Sequence, residues 1–327
     1  MQVITAPRGL IADIITPFTK GGAIDGPGLQ RLLNRVAPHA QAVFLASPHT
    51  GEGKSLHTEQ RVELLEQAIP AMAQNPIPIL IWVTRDDEAG SRHTTIALKE
   101  VIEKRRYTGD VFWVDTPLYY HSNRGLPDLY TALCSVVGKP YILYNDPGFI
   151  NGLSKPLKRN NIRTAVLKEL VSLEGITGLI FSGSLDRVNN YHKACRGRPH
   201  FRIYDGEESH FLDNPSTSGV VSAGANLAPK SWEKIIQSSL DLSAHKKGYP
   251  DHLQQIWVLG DYLRSMRDIY NSRATAPILK EILSDMGIIE TPACTFQVED
   301  TKESKSRLRD LMMGFGDYPG EGKVPKV

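Results

Sequence analysis

Eight short runs of apolar, β-branched or aromatic residues recur along the chain. They are Leu10–Ile15, Ala42–Ala46, Ile77–Val83, Val111–Asp115, Tyr141–Asn145, Gly178–Phe181, Phe201–Asp205 and Gly219–Ser222. The runs are almost continuously apolar rather than alternating, the pattern of parallel strands covered on both faces. Between them apolar residues return at helical spacing. The clearest stretch, Thr58–Met72, lines up Val62, Leu64, Leu65, Ala68, Ile69 and Met72 on one helical stripe. Thr58 is its predicted N-cap, and Ala89–Glu103 and Ile162–Leu173 repeat the pattern. Eight strands alternating with helices predict an α/β fold, a (β/α)8 TIM barrel over residues 1–230. A doubly wound sheet is the competing arrangement, but it does not call for eight evenly spaced strands.

Past the eighth run the pattern is wholly helical: Trp232–Leu242, Leu253–Tyr270, Ile278–Met286 and Glu303–Met313. The first of these finishes the barrel and the others predict an appended bundle, so that residues 231–314 form a C-terminal helical appendage. Residues 315–327, rich in Gly, Pro and Lys, read as a loosely ordered tail.

Charge and composition exclude several partners. The 327 residues carry 38 basic and 36 acidic side chains, a formal net charge of +2. That balance gives no support for nucleic-acid or anionic-membrane binding, which needs a strong basic excess or patch. The short cluster Lys104–Arg105–Arg106 reads as the solvated, dipole-complementing end of a helix. No leader pattern is visible after Met1, and the longest apolar run, Ile77–Val83, is far shorter than the ~20 residues that span a bilayer. Three scattered cysteines, Cys134, Cys195 and Cys294, form no C-x-x-C pair. They suggest neither a disulfide framework nor a zinc site and suit a reducing, cytoplasmic compartment.

In a barrel the chemistry sits where strands end. Here that rim carries Thr16, His49, Thr50, Glu52, Arg85, Asp86, Asp115, Tyr119, Tyr144, Asn145, Ser182, Asp205, Glu207, Ser222 and Asn226. This is a hydrogen-bonding set suited to a small polar ligand. Ser47–Ser55, S-P-H-T-G-E-G-K-S, imitates a phosphate loop but has Pro48 at the first glycine position and no helix directly after Lys54. The better reading is a strand-to-helix loop whose amides hold a carboxylate. The histidines show no H-x-H or H-x-x-x-H spacing, so no metal is predicted. Asp86–Asp87 reads as a helix cap. Tyr144 can pass a proton in the barrel mouth, or simply pack with its hydroxyl satisfied.

Together these segments resemble the dihydrodipicolinate synthase and N-acetylneuraminate lyase family of class I aldolases. The resemblance runs over about residues 8–314. It rests on Gly9–Phe18 (G-L-I-A-D-I-I-T-P-F), Thr50–Gly51–Glu52, Thr116–Tyr120 (T-P-L-Y-Y), Tyr144–Pro147 (Y-N-D-P), Gly219–Asn226 (G-V-V-S-A-G-A-N) and Pro277–Gly287. It implies a strand-six lysine that forms a Schiff base with a keto acid, whose cationic nitrogen acts as an electron sink. It also implies a proton relay: Tyr144 as the shuttle, Tyr119 as a tyrosine reaching across a subunit interface, and His49 and Thr50 in the loop. Thr50, Gly51, Arg85, Asp205 and Ser222 are the expected substrate-binding residues. No cofactor is expected.

Three departures change what the resemblance implies. The lysine position falls at Leu179 or Ile180, and an alkyl chain forms no imine. Pro48 and His49 replace the loop's glycine and first hydroxyl residue. The arginine that follows Y-N-x-P in dihydrodipicolinate synthases is absent from Tyr144–Gly152. The expectation is therefore a lyase- or aldolase-related homo-oligomer, a tetramer by resemblance, that binds a small keto acid or sugar acid without the usual imine and is not a true dihydrodipicolinate synthase. Lys54 or Lys155 is the alternative amine. A catalytically silent ligand-binding or structural protein is the alternative function.

Overall fold

The computed structural model describes residues 4–153, 159–216, 218–240, 249–271, 275–298 and 300–319, with only the backbone described for 249–253. Its centre is a closed barrel of eight parallel strands in sequence order. The strands are β1 (Gly9–Asp13), β2 (Ala42–Leu45), β3 (Ile79–Trp82), β4 (Val111–Asp115), β5 (Tyr141–Asn145), β6 (Ile176–Phe181), β7 (Arg202–Asp205) and β8 (Gly219–Ser222). Gly9 to Ala12 of β1 pair with Gly219 to Ser222 of β8 and close the ring. Closure rules out the doubly wound alternative.

The strands read as continuously apolar because both faces are buried and the two faces belong to different cores. Alternate residues face opposite ways. Leu10, Val43, Ile79, Ile81, Trp113, Leu143, Leu179, Ile203 and Val220 pack outward against the helices. Ile11, Phe44, Leu80, Trp82, Phe112, Val114, Ile142, Tyr144, Ile180, Tyr204 and Val221 fill the barrel interior. This parity decides which rim residues can reach a central site.

Helices sheath the barrel as the periodicity predicts. Thr58–Gln74 covers the predicted Thr58–Met72, but Thr58 is its first residue and His57 is the N-cap. Gln60 Oε1 accepts the His57 amide at 2.9 Å, leaving the Thr58 hydroxyl to bond Thr94 at 2.7 Å. A first-turn glutamine can serve the start of a helix as well as a hydroxyl cap can. The predicted cap at Asp86–Asp87 is Asp87, which accepts the Gly90 amide at 2.7 Å.

The C-terminal helices Tyr249–Tyr270, Thr275–Asp285 and Lys302–Phe315 pack on the barrel rather than standing apart. Residues 315–319, expected to begin a loose tail, are anchored. Phe315 stacks on Tyr262 at 3.9 Å, and Asp317 accepts hydrogen bonds from Ser231 (2.8 Å) and Tyr262 (2.9 Å). The rest of the predicted tail, residues 320–327, lies outside the described residues.

One tie between the appended helices and the barrel is ionic and buried. Lys280, on Thr275–Asp285, donates from a fully buried position to Glu52 in the loop after β2. It also donates to the Ala293 carbonyl at 2.8 Å and lies over the Phe18 ring. Removing one partner of such a pair strands the other, at a cost of about 3–5 kcal/mol. Lys280→Met should therefore lower unfolding stability by about that much in a urea titration. The double variant Glu52→Gln with Lys280→Met should recover part of the loss. A change under ~1 kcal/mol for the single variant would show that the pair does not hold the loop.

Candidate active site

One cavity of about 580 Å³ opens at the C-terminal end of the strands. Four walls meet there: the ends of β1, β5 and β6, the loop after β2, the segment after β7, and the helix Tyr249–Tyr270 with the residues that follow it.

The loop after β2 is built by close approach. Ala46 and Glu52 hold left-handed backbone (φ 51° and 54°), unusual for residues with a Cβ and common where a site is under local strain. A Cβ on Gly51 would meet the Ser47 nitrogen at 2.4 Å, and one on Gly53 the Ala46 carbonyl oxygen at 2.0 Å. Only glycine fits either place. The coil is drawn together by its own amides: Gly51 N donates to Ser47 Oγ, Glu52 N to the His49 carbonyl, Gly53 N to the Ser47 carbonyl and Ser55 N to the Glu52 carbonyl. These four amides are thus used inside the loop, and the expected amide cradle for a carboxylate is reduced to the hydroxyls and what remains near Thr50. From below, Glu52 accepts from Lys280 and from the Thr295 amide (2.6 Å) and hydroxyl (2.7 Å). Arg61 adds a buried guanidinium that donates to the carbonyls of Gly53 (2.7 Å), Trp82 (3.1 Å) and Thr84 (3.0 Å). Burial, and after it the charge of Arg85, pull it down to about 9.

Of the residues expected at the rim and site, His49, Thr50, Glu52, Tyr144, Ile180 and Glu207 line the cavity, and so does the alternative amine Lys54. Ile180 and Tyr144 are register partners on β6 and β5, both in the interior core, whereas Leu179 faces the helices. The strand-six position inside the barrel is therefore Ile180. Tyr144 is a neutral phenol, pushed well above its ordinary value by burial and by the Asp146 charge. Its hydroxyl donates to Asp146 Oδ2 at 3.4 Å, and His49 Nε2 lies 3.5 Å from the same oxygen with half its side chain exposed. These three groups form a chain from the interior to solvent.

The remaining expected relay and substrate-binding residues lie off the cavity wall. Asp205 and Ser222 sit at the outward parity of β7 and β8. Asp205 accepts the Ser216 amide at 2.9 Å, and burial raises its carboxyl to about 6. Ser222 donates to Glu208 at 2.6 Å. Gly51 is packed beneath Thr16, whose hydroxyl donates to its carbonyl at 2.8 Å. Arg85 donates to the Leu56 carbonyl at 2.6 Å. Tyr119, partly exposed, stacks on Phe149 at 5.3 Å and donates to Asp86 at 3.3 Å. Lys155 lies outside the described residues.

The cavity also contains groups that sequence reasoning passed over: Asp13, Ser47, Asp146, Glu208, Arg267 and Tyr270. Asp13 ends β1 at the inward parity of Ile11. Its backbone carbonyl is fixed by Asn226 at 2.7 Å. Burial pushes its carboxyl up to about 7, partly offset by the Ser47 and Thr50 hydroxyls and by His49. Glu208 is fully buried and raised by that burial, though it accepts from Ser222, Tyr270 and the Gly224 amide. Arg267 lies 3.6 Å from Glu207. Among the described residues no group of three or more His, Cys, Asp or Glu is arranged to hold a metal ion. Among them, too, no helix is long and apolar enough to cross a membrane. All three cysteines are free thiols.

A family model described as the dihydrodipicolinate synthetase family matches residues 6–311. The 4-hydroxy-tetrahydrodipicolinate synthase of Alcanivorax borkumensis is 24% identical over 312 residues, covering 94% of this chain and 98% of that one. The enzyme of the same name from Hyphomonas neptunium is 28% identical over 236 residues, 68% and 72% of the two chains. Among solved structures, the prophage protein YagE of E. coli K12, described in complex with pyruvate, superposes with a TM-score of 0.75 at 18% identity, covering 93% and 98%. The 4-hydroxy-tetrahydrodipicolinate synthase of Methylacidiphilum fumariolicum gives 0.73 at 23% identity, covering 94% and 97%.

Asp13 generates a prediction about stability. A carboxyl whose value is near 7 when folded and about 3.9 when unfolded binds more protons in the folded state between those limits. Its ionisation therefore subtracts stability as pH rises from about 4 to about 7, and the loss is constant above that. Asp13→Asn should be more stable than the wild type at pH 8, by up to a few kcal/mol, and show no such gain at pH 4. Urea midpoints at the two pH values measure this; equal midpoints at pH 8 would refute the raised value.

Proposed function

The chain belongs to the dihydrodipicolinate synthetase family, and on that footing we propose a lyase- or aldolase-related site that binds a small 2-oxo acid or sugar acid without an imine on strand six. The observation that carries the proposal is Ile180, which fills the interior strand-six position beside Tyr144. Imine formation needs an unprotonated amine about 3–3.5 Å from the keto carbon, and Ile180 offers only carbon. The protein is then not a dihydrodipicolinate synthase, although relatives at about a quarter identity carry that name.

Without the imine's electron sink, charge that develops on the ligand's carbonyl oxygen must be met by hydrogen bonds. Tyr144 is suited to this, since it stays protonated at any physiological pH and can donate. Asp146 and His49 extend its path to solvent. Thr50, with Ser47 beside it, is the expected hydroxyl contact for the ligand's carboxylate. Gly51, Arg85, Asp205 and Ser222 support the site from behind the wall. The same pocket without turnover, a ligand-binding or structural protein, is the second reading; replacement of the one group that makes the family's covalent bond favours it.

By resemblance of T-P-L-Y-Y the protein assembles as a homotetramer built from dimers, with Tyr119 near a neighbour's pocket, and works in the cytoplasm as one barrel carrying its helical appendage. A monomeric mass in light scattering at micromolar concentration would contradict the assembly.

Borohydride treatment with pyruvate and a panel of longer 2-oxo acids tests the chemistry. The expected result is no reduced adduct by intact-mass spectrometry and no dihydrodipicolinate synthase activity. An adduct mapped to any barrel lysine, with Lys54 and Lys155 examined first, would restore the imine mechanism.

A further inference from the structure

Reading the cavity as an oxo-acid site leaves one carboxyl in conflict with the ligand. Asp13 lines the cavity with Thr50, Tyr144 and Ile180. The hydroxyls of Ser47 and Thr50 face its carboxyl and act to stabilise its charge. Among the described residues its Oδ1 is buried with no hydrogen-bonding partner. A ligand carboxylate seeks these same hydroxyls, because the amides of Gly51, Glu52, Gly53 and Ser55 already donate within the loop. The incoming anion would therefore meet an anion of the protein at the place meant to receive it.

The rest of the wall does not relieve the clash. Arg267 leans on Glu207 at 3.6 Å and His49 on Asp146 at 3.5 Å. Glu208, on the segment after β7, raises Asp13 further, while His49 lowers it only in part. Lys54 lies 5.2 Å from the centre of the Phe149 ring. Two carboxylates that share a poorly hydrated site cannot both ionise; one takes a proton.

We propose that Asp13 is the charge-selecting residue of this cavity: it admits the ligand's carboxylate only together with a proton on its own carboxyl. The Asp13 O–H then donates to a ligand carboxylate oxygen, and the hydroxyls of Ser47 and Thr50 turn from Asp13 to the ligand. Repulsion becomes a charge-assisted hydrogen bond, of the short, strong kind. Burial has already lifted this carboxyl to about 7, so the proton is within reach near neutrality. Uncharged carbonyl compounds would need no proton and bind without regard to pH. The proposal rests on the oxo-acid reading above.

Titration calorimetry of the full-length protein with pyruvate, and separately with gluconate, tests it. Each is run at pH 6, 7 and 8.5 in buffers of different ionisation heat. The expected wild-type result is uptake approaching one proton per anion bound at pH 8.5, near zero uptake at pH 6, and affinity falling about tenfold per pH unit above 7. Asp13→Asn, an uncharged mimic of the protonated residue, should bind with no proton uptake and no pH slope. At pH 8.5 it should bind roughly 30-fold tighter than the wild type. Asp13→Ala should likewise lose the pH slope, which keeps the test decisive if the Asn variant folds poorly. Wild-type binding without proton uptake at pH 8.5, or the same slope in either variant, overturns the proposal and leaves the oxo-acid reading standing. Binding of neither anion, by wild type at pH 6 or by the variants, overturns the oxo-acid reading and this proposal with it.

Discussion

The buried contact between Lys280 and Glu52 is the constraint on which the site depends. It joins a helix near the end of the chain to a loop near its beginning, and both groups are removed from water. An ion pair so placed is stable only if every remaining proton and lone pair is satisfied. Here Thr295, Ala293 and the Phe18 ring do that. Glu52 in turn stands in a left-handed backbone conformation, uncommon for a residue with a Cβ. With Glu52 fixed, Gly51 and Gly53 are pressed against the end of β2, and His49 and Thr50 are carried to the mouth. The appended helices are thus part of the site's foundation, and Arg267 and Tyr270 on one of them complete its wall.

Within that frame a hydrocarbon and a buried carboxyl stand in the barrel interior. Ile180 lies beside Tyr144 as its register partner on the neighbouring strand, and the hydroxyls of Ser47 and Thr50 act on the carboxyl of Asp13. Asp13 has the hydroxyls of Ser47 and Thr50 and the half-exposed His49 to offset its burial, and its carboxyl still rises.

The barrel was legible because parity and spacing are strong signals when both strand faces are buried. All eight runs became strands, with ends shifted by a residue or two where loops such as Ala46–Gly53 take over the chain's direction. The site was less legible, for the same parity. Asp205 and Ser222 are polar and end strands, but they face outward, and only the strand register reveals it. Asp13 carried the opposite signal: an acid inside an apolar run, at the inward step after Ile11, which read as one more strand residue. Asp146 is the unspecified residue of Y-N-D-P, and a motif that leaves a position open draws no attention to it. Arg267 and Tyr270 could not be found from periodicity, which announces a helix but not where it docks.

The central claim is that this barrel holds a carbonyl ligand without bonding to it. The most direct measurement is the ¹³C spectrum of [2-¹³C]pyruvate with the protein in slight excess, at pH 6, where Asp13 is protonated. The account predicts that the bound C2 resonance stays in the ketone or ketone-hydrate region and returns unchanged when the ligand is displaced. A bound resonance in the imine or carbinolamine region would contradict it.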